Sequence, residues 1–392
     1  MIVLAYKKIY KLCSLLGVGF MAAAIATGCI GDTSNKTVKI GANLEMTGTN
    51  ASFGNSAANG INMAVKEINA KGGVLGKQLE LIVADNRSEV SESVNITQKL
   101  LSEKVIAIVG PSTSSGMISA GEVSAQANVL AISPSATNPN ATIDPATGKV
   151  RPYAFRAAFI DTFQGRIMAD FAIKKLQSKR AAIFIDNSNE YAKGLAKYFK
   201  DTFKAQGGDV VAEEAYLQKD TDFRSLLTKV QATKPDVIFA PGYYQEVGLL
   251  INQARKMGIS TPFLGGDGWD SVKLVEIAGA ENMHDTYFCT HYSPSDTTPR
   301  LKAFMDKYKE WYGVEPDSYA LLAYDSTYMV VEAIKNAGTA DSAKVRDAME
   351  KLNKFDGASG VITIDQNHDA ISSGIIMAYE NGVPVFKERI EP

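Results

Sequence analysis

Two stretches of the chain concentrate hydroxyl groups: Gly110-Pro-Ser-Thr-Ser-Ser-Gly116 and Ser133-Pro-Ser-Ala-Thr-Asn-Pro139. Each follows a short apolar run, Val105–Val109 or Val129–Ile132, of the kind that forms a buried parallel strand. Both stretches are therefore expected at the carboxyl end of a sheet, where open α/β sheets bind ligands. Residues Ser115–Ala127 predict a helix whose free N–H groups lie beside Ser112, Thr113 and Ser114. A helix start ringed with hydroxyls can seat an anion such as a carboxylate. The plainer role for the same residues is helix capping.

The elements that must position these groups alternate along the chain. Strand-like Val38–Ala42 and Leu79–Ala84 interleave with helices near Asn55–Ala70 and Ser91–Ser102. A second series begins with a helix near Phe163–Leu176. It continues through strand-like Ala181–Ile185, Asp209–Ala215, Val237–Ala240 and Pro262–Leu264, with helices at Ala192–Ala205, Phe223–Ala232 and Glu246–Met257. Such βαβ alternation predicts an α/β protein of two doubly wound, Rossmann-like domains. The last hundred residues carry helices near Arg300–Trp311, Ser318–Asn336 and Ser342–Leu352, then strands Gly360–Ile364 and Gly374–Tyr379. They are too few to enclose a core of their own, so they are expected to pack back onto both sheets and make each domain discontinuous. Asn138–Arg151, rich in Pro, Asn and Thr, reads as a surface loop.

The N-terminus addresses the chain. Lys7, Lys8 and Lys11 precede an apolar stretch from Leu12 to about Ile25, ending in Ala26-Thr27-Gly28-Cys29. A basic start, a short apolar core and small residues before a cut describe a secretory signal. With Cys29 following, the signal resembles that of a bacterial lipoprotein, cleaved after residue 28 and lipidated on Cys29, with residues 29–37 as tether. The whole chain carries a formal charge of −2. Loss of three signal lysines takes it to about −5, and no basic cluster remains for nucleic acid. Cys289 is then the only free thiol, expected buried in the strand-like Thr286–Thr290.

Chemistry of other kinds finds little footing. Gly110-Pro-Ser112-Thr-Ser114 lacks the second glycine of a hydrolase elbow. His284, His291 and His368 have no ligand spacing and read as solvated surface residues, so no metal site, cofactor or catalytic residue is assigned.

Several ordered segments resemble one family. Ile40-Gly-Ala-Asn-Leu-Glu-Met-Thr-Gly48, the Gly60–Gly73 run, Ile132–Pro139, Tyr191-Ala-Lys-Gly-Leu195, Pro241–Glu246 and Gly265-Gly-Asp-Gly268 are similar to the branched-chain amino-acid binding proteins of ABC importers. The resemblance implies a type I periplasmic binding fold with a multi-stranded hinge. One lobe comprises residues 38–160 plus 291–373, the other 161–290 plus 374–392. It implies that Ser114 and Thr137, with Ser112 and Thr113 alongside, hold a ligand α-carboxylate, and that the Ser135 carbonyl accepts from the α-ammonium. Asp267 stands as countercharge where the family more often has glutamate. Tyr191 and Tyr243 close over the ligand, while Phe53, where tryptophan is familiar, and Tyr319 wall its side chain. Asp161 has two expected roles, a helix cap or a group facing the cleft. Thr113 occupies one position of a disulfide found in some members. The implied protein is a monomeric, extracytoplasmic lipoprotein that delivers Leu, Ile or Val to a permease. The alternative is a sensor for another amino acid, an amide or a small carboxylate.

Overall fold

The computed structural model describes residues 37–296 and 298–392. The expected signal and lipidation site, Cys29 included, lie outside the described residues. Two separate sheets organise the chain. The first contains β1 (Thr37–Leu44), β2 (Gln78–Asp85), β3 (Ala107–Val109), β4 (Leu130–Ser133) and β5 (Ala154–Arg156). They run parallel in the order β2-β1-β3-β4-β5, with α1 (Ala51–Ala70), α2 (Val90–Ser102) and α3 (Ser114–Gln126) as crossovers.

The second sheet begins after α4 (Asp161–Lys174). Its parallel strands are β6 (Arg180–Asp186), β7 (Asp209–Tyr216), β8 (Val237–Phe239), β9 (Phe263–Gly265) and β10 (Thr286–Thr290). Between them run α5 (Glu190–Ala205), α6 (Arg224–Ala232), α7 (Tyr244–Lys256) and α8 (Val272–Ala278). The chain then returns to the first sheet through α9 (Pro299–Tyr312), α10 (Ser318–Ala337) and α11 (Ser342–Met349), with α10 packed along α1. A small antiparallel sheet follows: β11 (Phe355–Asp356), β12 (Val361–Ile364) and β13 (Ala370–Ile371). Finally β14 (Gly374–Glu380) adds antiparallel to β10 and β15 (Val383–Ile390) antiparallel to β14, giving the order β15-β14-β10-β9-β8-β6-β7.

Both sheets reverse their winding at an equivalent place. In the first, β2 lies on one side of β1 and β3 on the other; in the second, β7 and β8 flank β6. Crossovers diverge there and leave a crevice beyond the carboxyl ends of the two central strands. The sharp exit from β3 depends on Gly110. Its φ is +97°, and a Cβ there would lie 2.2 Å from the carbonyl oxygen of Asn43.

Several expectations require correction. The Asn138–Arg151 segment is not wholly a surface loop, because Ala141 and Thr142 are fully buried. Its anchor is Arg156, itself without solvent exposure, which donates to the Ala136 carbonyl (2.7 Å) and the Thr142 hydroxyl (2.8 Å) and pairs with Asp369 (2.6 Å). The strand-like run at Gly360 does not join either large sheet but centres the small one. Of the histidines only His284 is exposed. His368 stacks on Phe155 and His291 on Phe159, each at 3.9 Å, so aromatic partners distant in sequence bury them. Strands β5 and β15 were not foreseen: the first has only three residues, and the second is an edge strand rich in charge and containing Pro384. Cys289 is buried in β10.

Replacing Arg156 by Met strands a buried carboxylate, that of Asp369. Urea unfolding is expected to show a loss of about 3–5 kcal/mol; a loss below about 1 kcal/mol would show that the pair is not needed.

Candidate functional site

Four strand ends at the two reversal points supply most of the polar side chains. After β1 comes Glu45; after β3 come Ser112, Thr113 and Ser114; after β6 comes Tyr191; after β8 comes Tyr243. Loops beyond β4 and β9 contribute Ser135 with Thr137, and Asp267.

The start of α3 already holds a carboxylate, which belongs to Glu45. Its Oε1 accepts from the backbone N–H (3.1 Å) and hydroxyl (2.9 Å) of Thr113, and its Oε2 accepts from the N–H of Ser112 (3.2 Å). Thr113 is the N-cap residue by position, yet its side chain makes no capping bond. Burial raises the Glu45 carboxyl above its ordinary range, against the pull of these donors. Sequence reasoning missed Glu45. The available signal was an acid placed directly after an apolar strand at the winding reversal.

Around that point the remaining groups form a continuous set of contacts. The Ser135 hydroxyl donates to the Ser112 carbonyl at 2.9 Å, and the Ser114 hydroxyl accepts from the N–H of Asn138 at 3.2 Å. Thr137 is fully buried and its carbonyl accepts from the N–H of Asp161 at 2.9 Å. The Ser112 hydroxyl is buried with no hydrogen-bond partner, and the buried Thr137 hydroxyl lies close to the Asp161 carboxyl.

Asp161 is the first residue of α4, where Ile160 is the N-cap, and its carboxylate faces other side chains rather than capping. Gln164 bridges it to Asp267. The amide nitrogen of Gln164 donates to Asp161 Oδ1 (3.4 Å) and Asp267 Oδ1 (3.0 Å), while its oxygen accepts from the N–H of Asp267 (2.7 Å). His291 Nε2 lies 3.3 Å from Asp267 Oδ2. Asp161 Oδ2 is buried without a hydrogen-bond partner. Burial first, and the charge of Asp267 second, push the Asp161 carboxyl well above the usual carboxylate range.

The aromatic residues complete the enclosure. The Tyr191 hydroxyl accepts from the N–H of Gly268 at 3.1 Å, and its ring stacks on Tyr243 at 5.2 Å. Phe53 meets Tyr243 edge-on at 5.5 Å and stacks on Tyr319 at 3.9 Å. The Tyr319 hydroxyl donates to the Asp267 carbonyl at 3.4 Å. Phe53 and Tyr319 ride on α1 and α10 beside the first sheet, yet both belong to the apolar core of the second. Direct bonds join segments around the two sheets at the rim. Ser52 meets Ser271, Gln218 meets Thr49, Lys219 meets Glu89, and Asn138 donates to the Glu190 carbonyl.

Chemically, this is a meeting place for opposite charges. One side offers hydroxyl donors, the other buried carboxylates. Among the described residues no group of His, Cys, Asp or Glu could hold a metal ion, and no helix is long and apolar enough to cross a membrane.

Comparisons with known proteins agree in kind. The sequence model of a family described as periplasmic binding protein matches residues 37–383. The chain is 30% identical to the Leu/Ile/Val-binding protein BraC3 of Rhizobium johnstonii over 90% of its own length and 94% of that protein's. It is similar in structure to the leucine binding protein LivK of Thermotoga maritima, with TM-score 0.86 and 37% identity, covering 91% of this chain and 99% of that one. The branched-chain amino acid transporter substrate binding protein LivJ of Streptococcus pneumoniae, solved in complex with isoleucine, gives 0.85 and 38%, covering 91% and 100%.

The folded-state pKa of Asp161 lies above its unfolded value, so the native state binds that proton more tightly. Stability from this group is therefore present at low pH and is lost as pH rises from the unfolded pKa through the folded one. In ligand-free protein, Asp161→Asn is expected to be more stable than the parent at pH 7 and to flatten the fall in stability above pH 4. Denaturant melts across that range check it, and an unchanged slope would remove Asp161 as its source.

Proposed function

Since the chain belongs to the periplasmic binding protein family, whose members bind solutes outside the cytoplasm, we propose that it captures an L-amino acid between its two sheets. The observation that carries this reading is the pair of buried acids, Asp161 and Asp267, bridged by Gln164, in which burial and the charge of Asp267 push the Asp161 carboxyl up, together with the buried hydroxyls at Ser114 and Thr137. The cation nearest Asp161, Arg156, is already paired with Asp369. A ligand ammonium beside Asp267 would supply the missing positive charge. Its carboxylate would accept from the hydroxyls of Ser114 and Thr137, and the Ser135 carbonyl would accept from the ammonium. A carboxylate without an ammonium leaves the acids unmatched, which favours an amino acid over an aromatic acid.

Charge-assisted hydrogen bonds contribute about 1.5–3 kcal/mol each. Four or five of them support a micromolar dissociation constant, about 8 kcal/mol, after ordering costs. The aromatic set Phe53, Tyr191, Tyr243 and Tyr319 would cover an apolar side chain. LivJ with isoleucine and the Leu/Ile/Val-binding relatives support leucine, isoleucine or valine as ligand.

The two ligand-binding lobes on this reading are residues 38–160 plus 291–373 and 161–290 plus 374–392. The ligand touches both only when they meet, so binding shifts the population toward the closed form. The protein then presents its cargo to an ABC permease as a monomer. A lipid on Cys29 and the tether 29–37 would hold it near that permease and raise its effective concentration. No reaction is asked of the ligand, and it should leave chemically unchanged.

Calorimetry is expected to show binding of L-leucine, L-isoleucine or L-valine, weakened about tenfold or more by Ser114→Ala and by Asp267→Asn. Mass spectrometry of ligand released on denaturation should return the intact amino acid. Equal affinity in both variants and the parent would remove the assignment.

A further inference from the structure

We infer that Glu45 is a tethered anion that fills the seat at the start of α3 and so bars acidic side chains from the ligand pocket. This rests on the amino-acid reading above and adds a selectivity residue to it. Three donors converge on the Glu45 carboxylate, the N–H groups of Ser112 and Thr113 and the Thr113 hydroxyl, at 2.9–3.2 Å. A fourth group of the same seat, the Ser112 hydroxyl, is buried and unpartnered. Helix starts favour negative charge, and without Glu45 this one would be open to any carboxylate.

The position of Glu45 is fixed by its neighbours. A Cβ on Gly54 would lie 2.2 Å from the Glu45 carbonyl oxygen, so the first turn of α1, which carries Phe53, packs directly on the Glu45 backbone. After burial, the Glu45 charge is the largest influence on the Tyr243 hydroxyl, and Tyr243 contacts Phe53. Glu45 therefore lies beside Phe53 and Tyr243, two of the aromatic residues proposed to cover the ligand's side chain. What reaches it is the ligand's side chain. A second carboxylate arriving there meets a like charge and finds its donors taken. A neutral side chain meets neither obstacle. This is selection by a built-in repulsive element.

The test uses melting temperature and calorimetry on the parent, E45A and E45Q. In E45A the seat is vacated, and sodium formate is expected to raise the melting temperature by about 3 °C or more relative to equal sodium chloride. The parent and E45Q, whose seat stays filled, should not respond. L-glutamate should bind E45A roughly tenfold or more tightly than it binds the parent, with the leucine-to-glutamate preference narrowed accordingly. Should E45A fail to fold, E45Q carries the charge test: its leucine-to-glutamate preference should narrow by about fivefold. No formate response in folded E45A, or an unchanged preference in both variants, overturns the inference. A parent that binds no amino acid overturns the proposed function instead, because the formate response is read without any amino-acid ligand.

Discussion

Two buried carboxylates share a single amide, and much of the structure is arranged so that they can. Asp161 and Asp267 come from different parts of the chain and both receive the Gln164 nitrogen. Removing a carboxylate from water costs several kcal/mol unless donors or a countercharge replace the hydration. Gln164 also accepts from the Asp267 backbone, so its side chain fixes the loop beyond β9 as well as its charge. His291 approaches the other oxygen of Asp267, and Tyr319 bonds the carbonyl. These contacts orient the acids without neutralising both. On the proposed reading, the arrangement is suited to a cationic group that is absent from the chain itself.

On the proposed reading, the fold converts this local need into a property of two lobes. Asp161 opens α4 immediately after the first passage of the chain between sheets, and its N–H bonds the carbonyl of Thr137. The crossing segment is thus tied to the loop that carries the proposed carboxylate donors. Arg156, four residues earlier than Ile160, binds the same loop at Ala136 and Thr142 and reaches Asp369 beside the small sheet. Asp369 in turn lies five residues before β14, close to the third passage. Charge pairing therefore joins two of the crossings to the Thr137 loop, so that on the proposed reading rotation of one lobe would bear directly on the geometry at Thr137.

Much of this was legible in the residues. The alternation of short apolar runs with amphipathic stretches is the signature of doubly wound sheets, and hydroxyl-rich turns after Val109 and Ile132 mark strand ends where ligands collect. Residues whose neighbours are distant in sequence were harder to read. Nothing near His291 or His368 announces Phe159 or Phe155, and nothing near Gln164 announces Asp267. Glu45 lies in a segment that resembles the family, but only the pairing of β1 with β3 puts it against Thr113. The helix start and the acid that fills it are 68 residues apart. Short strands such as β5 have too few residues to show a period, and the charged edge strand β15 is held by backbone pairing rather than by a buried face.

The strength of the rim contacts bears on how closure could depend on a ligand. Lys219 and Glu89 meet across the cleft at 2.9 Å but are both more than half exposed, and such pairs contribute about 0.2–1 kcal/mol. The hydroxyl contact of Ser52 with Ser271 and the Gln218–Thr49 bond are neutral hydrogen bonds of about 1 kcal/mol each. Against them stands the cost of burying the Asp161–Asp267 pair, which on the proposed reading grows as the lobes exclude water. On the proposed reading, an ammonium bound there would remove that penalty, and a carboxylate at Ser114 and Thr137 would add charge-assisted bonds on the other lobe. A shift of about 2.7 kcal/mol turns a tenfold preference for one form into a tenfold preference for the other. On that reading, weak latches combined with a costly electrostatic centre would make closure sensitive to the zwitterion rather than automatic.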